Sequence, residues 1–186
     1  KRQELLEAFL PNSDVVFAVE SAAGRQLKRF NVVTAQVDVI ADTPGEDFRL
    51  AGVLSDGAVV YTQTGSSQGL HVWNPISGIS TPVAGAGSAF EGAAGDGDFI
   101  VSLDSGSQTD LALWDAGTSQ LVTIAQTDAD EQFQCAFANG PVIFSRVVAP
   151  STTSDLFKWD QEDGQEVRMT AGSADHSVVT VIHGAP

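Results

Sequence analysis

Leu111-Ala112-Leu113-Trp114-Asp115 and Leu156-Phe157-Lys158-Trp159-Asp160 share one pattern, an apolar run that ends in Trp and then Asp. Leu70-His71-Val72-Trp73-Asn74 is a third copy, and Leu27-Lys28-Arg29-Phe30-Asn31 is a fainter first one. The copies follow one another at a spacing of a little over forty residues. Sixteen to twenty residues before each aromatic lies a tight turn followed by another apolar run. These turns are Asp56-Gly57 before Ala58-Val59-Val60-Tyr61, Asp96-Gly97 before Asp98-Phe99-Ile100-Val101, and Asn139-Gly140 before Pro141-Val142-Ile143-Phe144. The first copy reads Asn12-Ser13-Asp14 before Val15-Val16-Phe17. Asp-Gly and Asn-Gly favour the two-residue type I′ hairpin, where both central residues take positive φ. Each such turn is therefore expected to join two antiparallel strands, A and B.

A second turn follows each aromatic, marked by Pro75 and Gly78, by Gly117, and by Gly164. Asn and Asp initiate turns by bonding their own backbone, and Gly supplies the left-handed dihedrals. This turn joins strand C, which carries the aromatic, to strand D. The B–C connections read as longer and polar, at 20–26, 64–69, 104–110 and 149–155. Self-similarity at this period, four strands to a repeat, is the signature of propeller blades. The expected fold is an all-β propeller of four-stranded antiparallel blades at about 5–41, 48–84, 90–125 and 133–171. The tail adds one extra strand at 177–182, with His183-Gly184 where Asp-Gly stands in other copies. The opening ten residues could pass for a short helix by composition, but their register reads as strand A of the first blade.

The chain of 186 residues carries nine Lys and Arg against 24 Asp and Glu, a net charge of −15. Between 50 and 145 there is no Lys or Arg, while ten carboxylates fall there. Such a surface repels phosphate backbones, which excludes nucleic acid as the expected partner. No run of 18 apolar residues occurs, so no helical membrane span is expected. Cys135 is alone in Phe133-Gln134-Cys135-Ala136-Phe137 and reads as a small buried apolar residue, with no disulfide or thiolate metal site. Few Lys with much Ala, Gly, Ser, Thr and Asp, and a start at Lys-Arg without Met, read as a processed or excised chain of periplasmic or extracellular location.

The Trp-Asp pairs 114–115 and 159–160 resemble those of WD40 repeats, and Ser55-Asp56-Gly57-Ala58-Val59-Val60-Tyr61 resembles the repeat of TolB-type propellers. The resemblance covers nearly the whole chain and implies a toroid used as a binding platform. Two departures separate it from WD40 repeats: no Gly-His pair precedes strand A in a complete blade, and no regularly placed Asp marks the B–C loops.

No metalloprotease helix, P-loop or dinucleotide fingerprint is present, and no catalytic residue is assigned. His71 lies in a strand C and reads as a packing residue, and His183 as a turn residue. The D–A loops carry the candidate binding residues Glu46 and Asp47, then Asp128, Asp130 and Glu131, then Asp175 and His176. An acidic mouth built from them would take a basic peptide or a divalent cation, since hard cations want clustered oxygens. The 128–131 stretch lacks the glycine and spacing of a calcium loop, so no metal ligand and no cofactor is assigned. The repeated aromatics read as inter-blade core rather than as stacking platforms for a sugar.

These features imply a non-enzymatic propeller that presents an acidic loop face to a protein or polysaccharide partner. The alternatives are a propeller-type enzyme or its accessory domain (lyase, glycosidase or peptidase), and a structural piece of an exported assembly. Four blades and one strand leave open edges, to be closed by further blades, by strand 177–182, or by a second copy of the chain.

Overall fold

The computed structural model describes residues 2–106 and 108–178. Sixteen strands and no helix occur among them, in four consecutive meanders. Blade 1 holds β1 (Gln3–Phe9), β2 (Val15–Ser21), β3 (Gly24–Asn31) and β4 (Gln36–Ala41). Blade 2 holds β5 (Asp47–Val53), β6 (Val59–Thr64), β7 (Gly69–Trp73) and β8 (Ser80–Ala84). Blade 3 holds β9 (Ala89–Gly95), β10 (Asp98–Asp104), β11 (Thr109–Asp115) and β12 (Gln120–Ala125). Blade 4 holds β13 (Glu131–Ala136), β14 (Val142–Val147), β15 (Ser154–Trp159) and the short β16 (Glu166–Arg168). The chain forms two compact units, residues 1–90 and 91–186. The opening segment is strand β1, not a helix. Of the expected strand 177–182, Ser177 and Val178 are not in a strand, and the remainder lies outside the described residues, as does His183.

The hairpin turns differ from the expectation of a uniform two-residue type. Only Asp96-Gly97 is a two-residue turn with positive φ at both positions, 36° and 90°. Leu10–Asp14, Leu54–Ala58 and Phe137–Pro141 instead form a five-residue pattern. The first residue's N–H donates to the fifth carbonyl (2.8, 2.9 and 3.1 Å), and the fourth N–H returns to the first carbonyl (2.9, 3.0 and 3.0 Å). At Asp56-Gly57 only Gly57 is left-handed, while the Asp56 carboxylate accepts the Ala58 N–H at 2.9 Å. That is the three-residue loop, in which one left-handed residue closes a bulge. The first B–C connection is also shorter than expected, only Ala22 and Ala23 between β2 and β3.

Strand pairing makes the blades superimposable in register. Val15 faces Phe30, Val59 faces Trp73, Phe99 faces Trp114, and Val142 faces Trp159. Each blade therefore has two apolar faces. One carries the aromatic, as in Val59, Tyr61 and Trp73. The other is aliphatic, as in Val16, Ala18 and Leu27. In the first unit these two faces form one core with Ile40 and Phe48. In the second unit Ile100, Leu111, Leu113 and Ile124 of blade 3 meet Val142, Phe144 and Trp159 of blade 4 in the same way. Trp73 and Trp159, 2% and 3% exposed, belong to the inter-blade cores of their units rather than to a sugar platform, and Trp114 is 4% exposed. Burying such a ring removes roughly 150–250 Å² from water. Phe30, the equivalent residue of blade 1, is only half-buried.

The A strands lock by size. A Cβ built on Gly52 would lie 2.6 Å from the Phe90 ring, and one on Gly92 would lie 3.2 Å from the Phe133 ring. The same position in β1 is Ala8, and in β13 it is Cys135, since each follows the register shift of its strand. Cys135 is half-buried rather than buried, and burial pushes its thiol up. Gly52→Val is expected to destabilise by about 1–3 kcal/mol, because overpacking forces the Phe90 ring to move. Adding Phe90→Ala should recover part of that loss in denaturant titrations, whereas Gly85→Ala, with nothing within 4 Å of the new Cβ, should stay near wild type.

Candidate functional site

The strands place the D–A loops and the B–C connections at the same end of each blade, and all seven candidate residues sit there. Three of them share one structural task. The Asp47 carboxylate accepts the Arg25 N–H at 2.9 Å, Asp130 accepts that of Thr109 at 2.9 Å, and Asp175 accepts that of Ser154 at 2.8 Å. Arg25, Thr109 and Ser154 are register equivalents, each opposite the B-strand residue five positions after the one that faces the aromatic. Each aspartate thus pins the start of one blade's strand C from the chain that follows that blade's last strand. The pin at Asp47 stands beside a parallel bridge, Arg25 with Asp47, that joins β3 to β5. Gly24 is required there: its φ is +116°, and a Cβ would fall 2.3 Å from the Glu46 carbonyl.

In the first unit Glu46 is buried and is enclosed by its own blade's B–C connection. Ser66 donates both its hydroxyl (2.5 Å) and its N–H (3.0 Å) to Oε1. Those two donors hold the carboxyl below its usual range. Gly65, at φ +127°, leaves the room the carboxylate needs, since a Cβ would lie 2.2 Å from Oε2. Gly65-Ser66-Ser67-Gln68-Gly69 has the Gly-x-Ser-x-Gly spacing of a nucleophile elbow, with Ser67 at the serine position. It lies between two antiparallel strands, and the strand-to-helix turn that exposes such a serine is lacking here.

In the second unit Asp128, Asp130, Glu131, Asp175 and His176 gather at one end of blade 4. Glu131 is 1% exposed. It accepts the Thr127 hydroxyl at 2.6 Å and pairs with Arg146 at 3.5 Å, while its Oε2 has no hydrogen-bond partner. Burial pushes its carboxyl up, against the pull of Thr127 and Arg146. Arg146 is the hub of this end: it forks onto Glu166 (3.1 and 2.5 Å) and lies 4.2 Å over the Phe157 ring. Asp155, fully buried, takes Arg168 and the Thr170 hydroxyl, and His176 Nδ1 stands 3.5 Å away. His176 also donates its N–H to the Ser154 carbonyl at 3.0 Å. Asp128 is exposed. An open cavity of about 270 Å³ lies beside these groups, lined by Glu91, Ser102, Thr109, Asp130, Glu131 and Phe133 among others. Among the described residues no group of three His, Cys, Asp or Glu is placed to hold a metal ion.

Sequence reading missed Arg146 and the buried Asp110 and Asp155. The signal was present as Thr109-Asp110-Leu111 and Ser154-Asp155-Leu156, which begin two C strands identically in type. His71 stacks on Tyr61 at 5.3 Å and 12°, a packing role, and burial lowers its basicity.

No protein-family model and no curated protein matches the sequence. Solved structures do match the fold. A dipeptidyl peptidase 4 from Porphyromonas gingivalis aligns with TM-score 0.66 and 11% identity, over 90% of this chain and 30% of that one. A prolyl endopeptidase structure aligns at 0.60 with 13% identity, over 92% and 29%. A putative TolB from Agrobacterium tumefaciens aligns at 0.51 with 10% identity, over 87% and 63%. The fold is a TolB-like β-propeller. The chain spans less than a third of each peptidase chain and 63% of that TolB chain. Identities this low speak to the propeller fold alone.

Glu131 supplies a pH test. A carboxyl whose folded value is raised favours the fold when protonated, and that contribution is lost as pH rises through the folded value. Glu131→Gln should therefore match wild type in stability below the ordinary Glu range. It should gain on wild type as pH rises above that range, read as the difference between paired urea titrations.

Proposed function

We propose that this chain is a non-enzymatic propeller module whose acidic end holds a basic segment of a protein partner. The observation that carries this reading is the cavity beside blade 4. Glu91 and Asp130 are exposed on its wall, and Glu131 presents a buried carboxylate whose Oε2 has no hydrogen-bond partner. A Lys or Arg side chain entering there would bring the donors and charge that a desolvated carboxylate lacks. The absence of Lys and Arg between 50 and 145 leaves nothing cationic on blade 3 to repel such a segment. Pinning of Asp130 and Asp175 by backbone N–H groups makes this end rigid before binding, which lowers the ordering cost of association. The composition that reads as an exported protein supports an extracytoplasmic setting for this role.

A second reading has its own support. The peptidase propellers align at 0.60 and 0.66, so this chain also fits the role of an accessory propeller that gates a hydrolase held elsewhere.

Binding of a fluorescent nona-arginine peptide, followed by anisotropy, tests the first reading. The triple change Glu91→Gln, Asp128→Asn and Asp130→Asn should weaken binding at least tenfold. The equal charge change Asp56→Asn, Glu162→Gln and Asp163→Asn, at the opposite end of the strands, should weaken it less than threefold. Equal losses in both variants would mean diffuse attraction to a chain of net charge −15 and would refute a defined site.

A further inference from the structure

We infer that the outer face of blade 1 is the docking surface for a further propeller blade, supplied by polypeptide outside these 186 residues. This inference concerns a different surface from the acidic end and does not depend on it. Leu6, Val15, Phe17, Phe30 and Val37 line an open, largely apolar depression of about 560 Å³. Leu6 is 62% and Val37 53% exposed. Val15, Phe17 and Phe30 are half-buried.

The repeat itself shows what belongs there. By register, Val15, Phe17 and Phe30 correspond to Val59, Tyr61 and Trp73 in blade 2, and to Val142, Phe144 and Trp159 in blade 4. All six equivalents are at most 3% exposed. In blade 2 they are covered by the aliphatic face of blade 1, and in blade 4 by that of blade 3. The same side of the sheet is thus sealed by the same kind of surface in both units. Leu6 extends the correspondence. Its equivalents Leu50 and Phe133 pack against the two cores. The occupant is therefore a meander whose exposed face is Val, Ala, Leu and Ile, with a small residue in its first strand opposite Leu6.

Charge agrees with an acidic blade of this chain's own type. The first 41 residues balance Lys1, Arg2, Arg25, Lys28 and Arg29 against Glu4, Glu7, Asp14, Glu20 and Asp38, so the whole net charge of −15 lies beyond them. Lys28 and Arg2 rim the depression itself. A second copy docking by its last blade fits less well. On the aliphatic face of blade 4 Ile143 and Ser145 are only 7% and 3% exposed, which leaves little surface there for a second copy. Beyond it, Asp175, His176 and Val178 bond to Ser154 and Gln134, in the manner of chain entering a next blade.

The test is a tandem protein in which residues 2–46 are repeated ahead of the full chain. In a Cys135→Ser background, Leu6→Cys and, separately, Val37→Cys are placed in the original copy, and thiol labelling is timed. Labelling should be at least tenfold slower in the tandem than in the unextended chain, which should run as a monomer by light scattering. Equal labelling rates in both proteins would overturn the inference. So would an unextended chain that is a dimer, slow to label, and split by Val37→Asp, because the occupant would then be a second copy.

Discussion

The structure depends on a face of one blade that only another blade can cover. A four-stranded sheet with Val59, Tyr61 and Trp73 on one side and an aliphatic set on the other has no inside of its own. Isolated, such a meander would leave two apolar surfaces in water, at a cost of about 25 cal/mol for each Å² left exposed. Stacking in a row turns both surfaces into core, and the periodic Trp follows from that need rather than from any ligand. Stability in such an array is a sum of nearest-neighbour contacts, so the terminal blade is the weak one. Blade 1 shows this in its half-buried Phe17 and Phe30, against the sealed Tyr61 and Trp73.

Hydrogen bonding adds direction to that packing. Hydrophobic contact alone would let neighbouring sheets slide. The carboxylates of Asp47, Asp130 and Asp175 each accept an N–H at the head of a C strand, and so fix where each blade meets the chain that follows it. Buried charge is handled locally. Burial works against the charge of Asp14, but the Val32 N–H, the Asn12 amide and the Arg29 guanidinium outweigh it and hold that carboxyl below its usual range. Glu131 and Glu46 each keep one buried oxygen without a partner, but Ser66 holds Glu46 below its usual range whereas burial leaves Glu131 raised. That contrast is what sets the end of blade 4 apart from the other acidic loops.

Much of the fold was legible in the sequence because its signals are repeated. Trp73, Trp114 and Trp159 stand at one register position, and each blade's strands fall around them. The turn type was not legible. Asp56-Gly57 and Asp96-Gly97 read alike, yet the first needs only Gly57 left-handed and the second needs both residues, a difference set by how many residues separate the paired strands. The role of the acidic loops was partly legible. Asp47, Asp130 and Asp175 follow their blade's aromatic by 17, 16 and 16 residues, a periodicity that marks structure. Glu131 shares the register of Phe48, an apolar core position, and only the folded chain shows a carboxylate buried there. Arg146 could not be foreseen, since its value lies in contacts with Glu131, Glu166 and Phe157 that strand pairing creates.

Native-state hydrogen exchange, resolved by residue, probes the covered-face principle most directly, because each amide reports the opening of its own blade. Covered faces predict that amides in β6, β7, β14 and β15 exchange slowest, and that those of β1 and β4 exchange at least tenfold faster. Protection in blade 1 equal to that in blade 2 would contradict the dependence of each blade on its neighbour.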